Sequence, residues 1–235
     1  MLSQDIDYED SSSKIFGVVT AVVTNNKDDE GMARVKVTFP WLAENDESHW
    51  ARIATMMAGN DRGTYFIPEI GDEVLVAFEN GDVNFPYIIG ALWNGKDKVH
   101  ETNSDGENNL RVIKSRCGHK VIFDDTKGKE KITIIDKTEN RKIVIDTQKK
   151  NIDIYNNDGK INMYAGGDIN IKTDANLNIE VSGDINTKVS GSVDTKVSSS
   201  ISQKSGSSTK LEAGSTMNLK SGGVNTIKGS LIKLN

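Results

Sequence analysis

The residues best equipped for chemistry fall in a few short groups. Cys117-Gly118-His119 sets a thiol beside an imidazole, both good zinc ligands. A zinc site needs three or four such ligands. The remaining histidines, His49 and His100, lie in segments of different character, and Gly118 sits where two strand-like runs meet, so a turn is expected. Asp124-Asp125 and the group Glu69, Asp72 and Glu73 offer paired carboxylates. Glycoside hydrolysis needs two carboxyl groups held across a cleft. Asp-Asp-Thr-Lys-Gly is instead a turn sequence whose side chains bond backbone N–H groups, and Ile70-Gly71-Asp72-Glu73 is a loop entering a strand. The serine-rich residues 198–208 contain no Gly-x-Ser-x-Gly elbow, and no histidine follows His119. These groups lead to the expectation of no enzyme, no metal and no cofactor. Cys117 is the single cysteine, which excludes an internal disulfide framework.

The segment that organises the chain is residues 159–230. In blocks of eight the first residues are Gly159, Gly167, Ala175, Gly183, Gly191, Ser199, Ser207, Ser215 and Gly223, all small. Third positions hold Ile161, Ile169, Leu177, Ile185, Val193 and Met217 among others; fifth positions hold Met163, Ile171, Ile179, Leu211, Leu219 and Ile227. Sixth positions from Lys172 onward are all charged, mostly Lys. Alternation broken every eight residues means a short strand and a corner, repeated. No aromatic residue follows Tyr164, so the core these strands share is narrow. Two closures satisfy the pattern: one chain coiled three blocks to a turn, or three chains each supplying one side of a prism. Either is a stiff β shaft. The lysine ladder (172, 188, 196, 204, 220 and 228) keeps the outer face soluble and discourages edge pairing.

The formal charge of −5 conceals a gradient: residues 1–100 carry a net −9, residues 101–158 +1 and residues 159–235 +3. An acidic head without a concentrated basic patch does not suit a nucleic-acid binder. No apolar run approaches the ~18 residues of a membrane helix. Residues 1–13 form an acidic arm in which Ile6 and Tyr8 are candidate anchors on a partner. Residues 14–95 hold all three Trp and all three Pro. Strands are expected at 14–23, 33–39, 50–55, 73–79 and 87–93, separated by Gly/Asn/Asp turns. Five such strands suggest a small closed barrel of the OB type. Residues 96–110 form a polar linker. Residues 111–158 carry alternating pairs at Ile132/Ile134, Ile143/Ile145 and Ile152/Ile154, a neck wider or less regular than the octads that follow.

The runs GMARVKVTFPWL (31–42), HWARIATMMAG (49–59), FIPEIGDEVLVAFENGD (66–82) and FPYIIGALWNG (85–95) closely resemble the OB domain of VgrG-type and phage-baseplate spike proteins. SRCGHKVIFDDTKGKEKITI (115–134) resembles the segment where that family's chain enters its shaft. The resemblance implies an all-β protein: an OB barrel followed by an intertwined trimeric β-helix. Its core would be the third- and fifth-position residues named above. It also implies a structural central spike, built in the cytoplasm and carried at the tip of a contractile phage tail, tailocin or secretion particle. Its partners would be two further copies, the tail tube, the target envelope and a separate hub protein, since only 14 residues precede Ile15. A PAAR-type tip protein would seat on Leu231, Ile232, Lys233, Leu234 and Asn235. Two rival readings are a carbohydrate- or surface-binding fibre with the barrel as ligand module, and a peptidoglycan hydrolase.

In a homotrimer, Ile171→Asp or Ile179→Asp places three carboxylates without partners in one apolar layer, at a cost of several kcal/mol per chain. The expected result is loss of the shaft's thermal transition with the barrel's retained. An unchanged shaft transition would put these residues on the wet face.

Overall fold

Val19, Ala21 and Val23 alternate with more exposed residues along β1 (Val19–Asn25), as do Val74, Val76 and Phe78 along β6 (Glu73–Phe78). Strands with this period bury one face, and here they bury it together: Ala21 lies opposite Val74, and Val19 opposite Val76. The computed structural model describes residues 14–41 and 46–233. Around the β1–β6 pair stand β2 (Lys36–Thr38), β3 (Arg52–Ile53) and β7 (Pro86–Leu92), in the order β2-β1-β6-β7-β3. The β3–β7 pairing is parallel and the others antiparallel. The two edges of this curled sheet meet just ahead of β2 and β3. There Val35 N–H donates to the Ala51 carbonyl at 3.0 Å, and Ala51 N–H to the Val35 carbonyl at 2.7 Å. That closure makes the five-stranded barrel expected from the sequence. Its core holds Val23, Val35, Val37, Ala51, Val74, Val76 and Ile88, with Phe39 and Phe78 stacked obliquely at 5.8 Å. A two-stranded hairpin, β4 (Ala58–Gly59) with β5 (Arg62–Gly63), leaves the barrel between β3 and β6.

The first strand begins later than the alternation suggests. The chain bends at Gly17, and the stretch before it is anchored differently. Ile15 N–H donates to the Gly81 carbonyl at 2.8 Å, and Ile15 packs on the core. The second strand is also shorter than expected. Gly31 and Ala33 adopt left-handed conformations, with φ of 69° and 56°, and that turn consumes the start of the apolar run. One carboxylate holds the turn: Asp28 accepts from the N–H groups of Glu30, Met32 and Arg34 and from Arg34 Nε and Nη2 at 2.8 Å each. Its side chain is only 3% exposed.

A second sheet follows: β8 (Leu110–Lys114), β9 (Lys120–Asp124), β10 (Lys131–Ile135), β11 (Arg141–Asp146) and β12 (Asn151–Asn156), an antiparallel meander in sequence order. One compact unit ends at Tyr164 and another begins at Ala165. Within the second unit the backbone bends at 166–167, 174–175, 182–183, 190–191, 198–199, 206–207, 214–215 and 222–223, an eight-residue period. Between bends the chain forms no strand pairing among the described residues, and every described side chain is exposed.

The Arg34 side chain, against the opposing effect of burial and with help from the Glu30 and Arg34 N–H groups, holds Asp28 far below its ordinary value of 3.8. A carboxyl group depressed on folding stabilises the native state above its unfolded value and loses that contribution as pH falls through the folded one. Thermal melting followed by tryptophan fluorescence is therefore expected to show Asp28→Asn less stable at neutral pH. Its stability should also fall less steeply than the wild type's below about pH 4. Parallel curves with equal melting temperatures would remove Asp28 from its role in the loop.

Candidate assembly surfaces

The groups singled out for chemistry are occupied by structural work. Cys117 is exposed in the β8–β9 turn, where Ser115 and His119 exchange bonds and Gly118 takes φ of 97°. His119 Nδ1 accepts the Lys137 N–H at 3.3 Å. Asp124 accepts the Thr126 N–H, and Asp125 pairs with Arg111. Asp72 accepts the Glu69 N–H, Glu69 takes both its bonds from Arg116 at 2.9 Å, and Glu73 accepts from Asn94. Among the described residues, no group of three or more His, Cys, Asp or Glu is placed to hold a metal ion. No described helix is long and apolar enough to cross a membrane.

Three surfaces stand open among the described residues. The first is an open groove of about 1120 Å³ on the barrel, between the β1–β2 loop, β3, the β4–β5 hairpin and Phe85. Thr55 Oγ1 donates to the Thr64 carbonyl, and Thr64 N–H to that of Met57, which stands the hairpin against β3. Gly63 is required there. Its φ is 153°, and a Cβ would lie 2.5 Å from the Met57 carbonyl oxygen. Met57, Tyr65, Phe66 and Phe85 line the groove with exposed apolar surface. Arg34, already engaged by Asp28, and Lys36 stand 5.6 and 5.4 Å from the Trp50 ring. Such a floor of methionine and aromatic side chains adapts well to a protein partner. Sequence reasoning missed it, because its residues come from three stretches, 31–34, 49–67 and 84–85. Its nearest signal was Met56-Met57 in a turn-rich run.

The second surface is one face of the meander. Register aligns Ile113, Val121, Ile134, Ile143 and Ile154 in one row across all five strands. Arg111, Phe123, Ile132, Ile145 and Ile152 form the next. The large apolar residues on this face, Val121 apart, are 37 to 69% exposed. The opposite face, with Thr133, Val144 and Asp153, is the more covered one. Arg141 ties the β10–β11 corner to the end of the sheet by pairing with Asp136 and Asp158. At Asp136, burial alone would raise the pKa. The Thr138 hydroxyl and the Arg141 N–H and guanidinium outweigh it and hold the group at about 2.

The third surface is the octad stripe. Ile161, Met163, Ile169, Ile171, Leu177, Ile179, Ile185, Val193, Leu211, Met217, Leu219 and Ile227 all lie between bends and are 49 to 76% exposed. The alternation also reaches the seventh position, at Val181, Val189 and Val197, which the third-and-fifth pattern left out. The bends stay in phase through the serine-rich section. Leu231, Ile232 and Lys233 are exposed beyond the last full octad. Ile6 and Tyr8 in the arm, and Leu234 and Asn235, lie outside the described residues.

Residues 19–93 match the family described as the type VI secretion system/phage-baseplate injector OB domain. The chain is 34% identical over 139 residues to the type VI secretion system spike protein VgrG4b of Pseudomonas aeruginosa, covering 49% of this chain and 17% of that one. It is 29% identical over 134 residues to the spike protein VgrG3 of Vibrio cholerae, covering 52% and 13%. It is 33% identical over 113 residues to the actin cross-linking toxin VgrG1 of the same species, covering 42% and 10%. The chain thus spans less than a fifth of the length of these relatives. By its barrel and its family match, residues 19–93 are an injector-type OB domain, and about half of the chain is similar to VgrG spike proteins.

Proposed function

We propose that this protein is the non-enzymatic central spike of a contractile injection machine: a phage tail, a tailocin or a related secretion apparatus. The observation that carries the reading is the pairing of an injector OB domain with an eight-residue bend repeat whose apolar stripe is exposed, with no partner among the described residues. A solenoid of one chain would lay each block against a later one and pair their backbones. No described octad does so, which favours three chains, each forming one side of a prism. The twelve stripe residues then make the trimer core. Three interwound strands leave no free edge, and unravelling one disturbs the other two, so the product transmits axial force rather than bending.

In this arrangement the hub is a separate protein and the barrel is its seat. With the arm outside the described residues, the groove lined by Met57, Tyr65, Phe66 and Phe85 is the best-formed contact for it. The tail tube drives the spike, a PAAR-type cap sits at the tip residues Leu231, Ile232 and Lys233, and the target envelope is met transiently. Assembly takes place in the cytoplasm and the finished particle is exported. One observation favours a second reading, a glycan-binding fibre. The groove borders the β1–β2 loop and the loop before β7, where OB barrels take oligosaccharides.

Light scattering of the purified chain is expected to give about three times 25.7 kDa, and negative-stain images a thin needle with a broader head. A monomer at micromolar concentration would overturn the spike reading. Saturable binding on a glycan array, abolished by Phe66→Ala, would establish the fibre in its place.

A further inference from the structure

The groove beside the β4–β5 hairpin is more cationic than the barrel that carries it. Residues 1–100 hold a net −9, yet the charged side chains lining the groove are Arg34, Arg52 and Arg62 against one carboxylate, Asp61. Arg34 is taken by Asp28 and Glu30. Arg52 lies over the Tyr87 ring at 5.6 Å, and Arg62 forms no ion pair among the described residues. Beside them Met57, Tyr65, Phe66 and Phe85 are 52 to 78% exposed. An occupant matched to this lining brings apolar side chains and negative charge together.

We propose that the groove is the dock for this chain's own N-terminal arm, residues 1–13. Ile6 and Tyr8 lie on the methionine and aromatic side chains, and the acidic residues around them face Arg52 and Arg62. The proposal goes beyond the reading of the groove as the hub's seat: a hub that takes this seat displaces the arm.

The composition of the arm fits. Residues 1–13 contain Asp5, Asp7, Glu9 and Asp10 and no Lys or Arg. In the run Asp5-Ile6-Asp7-Tyr8-Glu9 acidic and apolar residues alternate. Laid out extended, such a sequence sets Ile6 and Tyr8 on one side and the carboxylates on the other. The apolar lining takes the first side, and guanidinium groups on long side chains reach round to the second.

The place where the arm joins the barrel also fits. Ile15 N–H donates to the Gly81 carbonyl at 2.8 Å. A Cβ on Gly81 would meet the Phe16 ring at 3.1 Å and the Lys14 side chain at 3.3 Å. The same turn runs on to Asn84 and Phe85, which line the groove, and Glu79 N–H donates to the Phe85 carbonyl at 3.0 Å. The arm therefore enters at the border of the groove. From Lys14 back to Tyr8 an extended chain spans about 20 Å, enough to lie along the groove of its own barrel. A tether this short holds the arm at an effective concentration of about millimolar. A peptide contact too weak to form between separate molecules is then occupied within one.

The test uses the full-length chain with Cys117→Ser, which removes an exposed thiol from a turn. Met57→Cys in the groove is combined with either Tyr8→Cys or Asp7→Cys in the arm. Under mild oxidation the 8–57 pair is expected to close within one chain roughly tenfold faster than the 7–57 pair, whose arm residue lies on the other side. Equal rates, or failure of both pairs to close, would overturn the dock. Disulfides between chains, seen as doubled mass on a non-reducing gel, would give the groove to another copy's arm and overturn docking within the chain. As a second readout, maleimide is expected to label Met57→Cys roughly tenfold faster when Ile6→Ser and Tyr8→Ser are added, because an undocked arm no longer covers the site. Salt at about 1 M is expected to speed labelling beneath the native arm, since it screens the carboxylates from the arginines. Rates equal in native and substituted arms would overturn the proposal. Neither readout depends on the number of chains in the particle, so a monomer in light scattering would remove the spike reading and leave the dock standing.

Discussion

An extended segment of six residues cannot satisfy its own backbone. Each octad of this chain turns after about 20 Å of strand, too early to close on itself and too regularly to meet a different kind of neighbour. Away from the corners, where side chains such as Thr173 and Ser221 accept backbone N–H groups, the described backbone is unpaired and the apolar side chains are exposed. Water can bond the backbone but not the stripe of Ile, Leu and Val. The cost of leaving that stripe wet, about 25 cal/mol per Å², recurs at every block. The open stripe of residues 165–233 follows from this mismatch between block length and pairing need.

The three regions form a series in how much each completes for itself. The barrel is complete. A two-bond bridge between Val35 and Ala51 joins its edges, and ten apolar residues fill it. The meander completes its internal pairing but leaves two edge strands and one apolar face. The octads complete only their corners. Polarity follows the same order. The acidic barrel is bound by charge networks such as Asp28–Arg34–Glu30, the meander's corners by Arg141 with its two aspartates, and the octads by isolated near-neighbour pairs such as Lys210–Glu212. Exposed pairs of that last kind add little stability.

This gradient bears on how the candidate surfaces divide their roles. A barrel closed by its own residues still leaves the groove beside the β4–β5 hairpin open. The Gly63 conformation holds that hairpin where a side chain would not fit. Surfaces that are incomplete are, by contrast, suited to self-association. The grouped carboxylates, the thiol and the His119 imidazole that sequence spacing brought forward are bound into turns or ion pairs or, like Cys117, stand at the surface.

Much of the barrel was legible because its strands are half-buried and alternate. Val19, Ala21 and Val23 announce a face, and Gly71-Asp72 and Asn80-Gly81 announce the turns. The eight-residue bends were legible in the small residues that open each block. Three features were not. Ile15 reads as the start of a strand, but it serves the core from a separate position because the chain bends at Gly17. The groove is assembled from residues far apart in sequence. The exposure of the meander's isoleucines has no sequence signal at all, since an apolar residue that faces a missing partner alternates in the same way as one that faces a core. Local alternation and small residues at corners, properties of neighbours along the chain, determined strand, turn and repeat. Which apolar face closes on itself depends on contacts between distant segments, so it was decided when Val35 met Ala51 in the barrel and when, among the described residues, no equivalent contact formed over the meander or the octads.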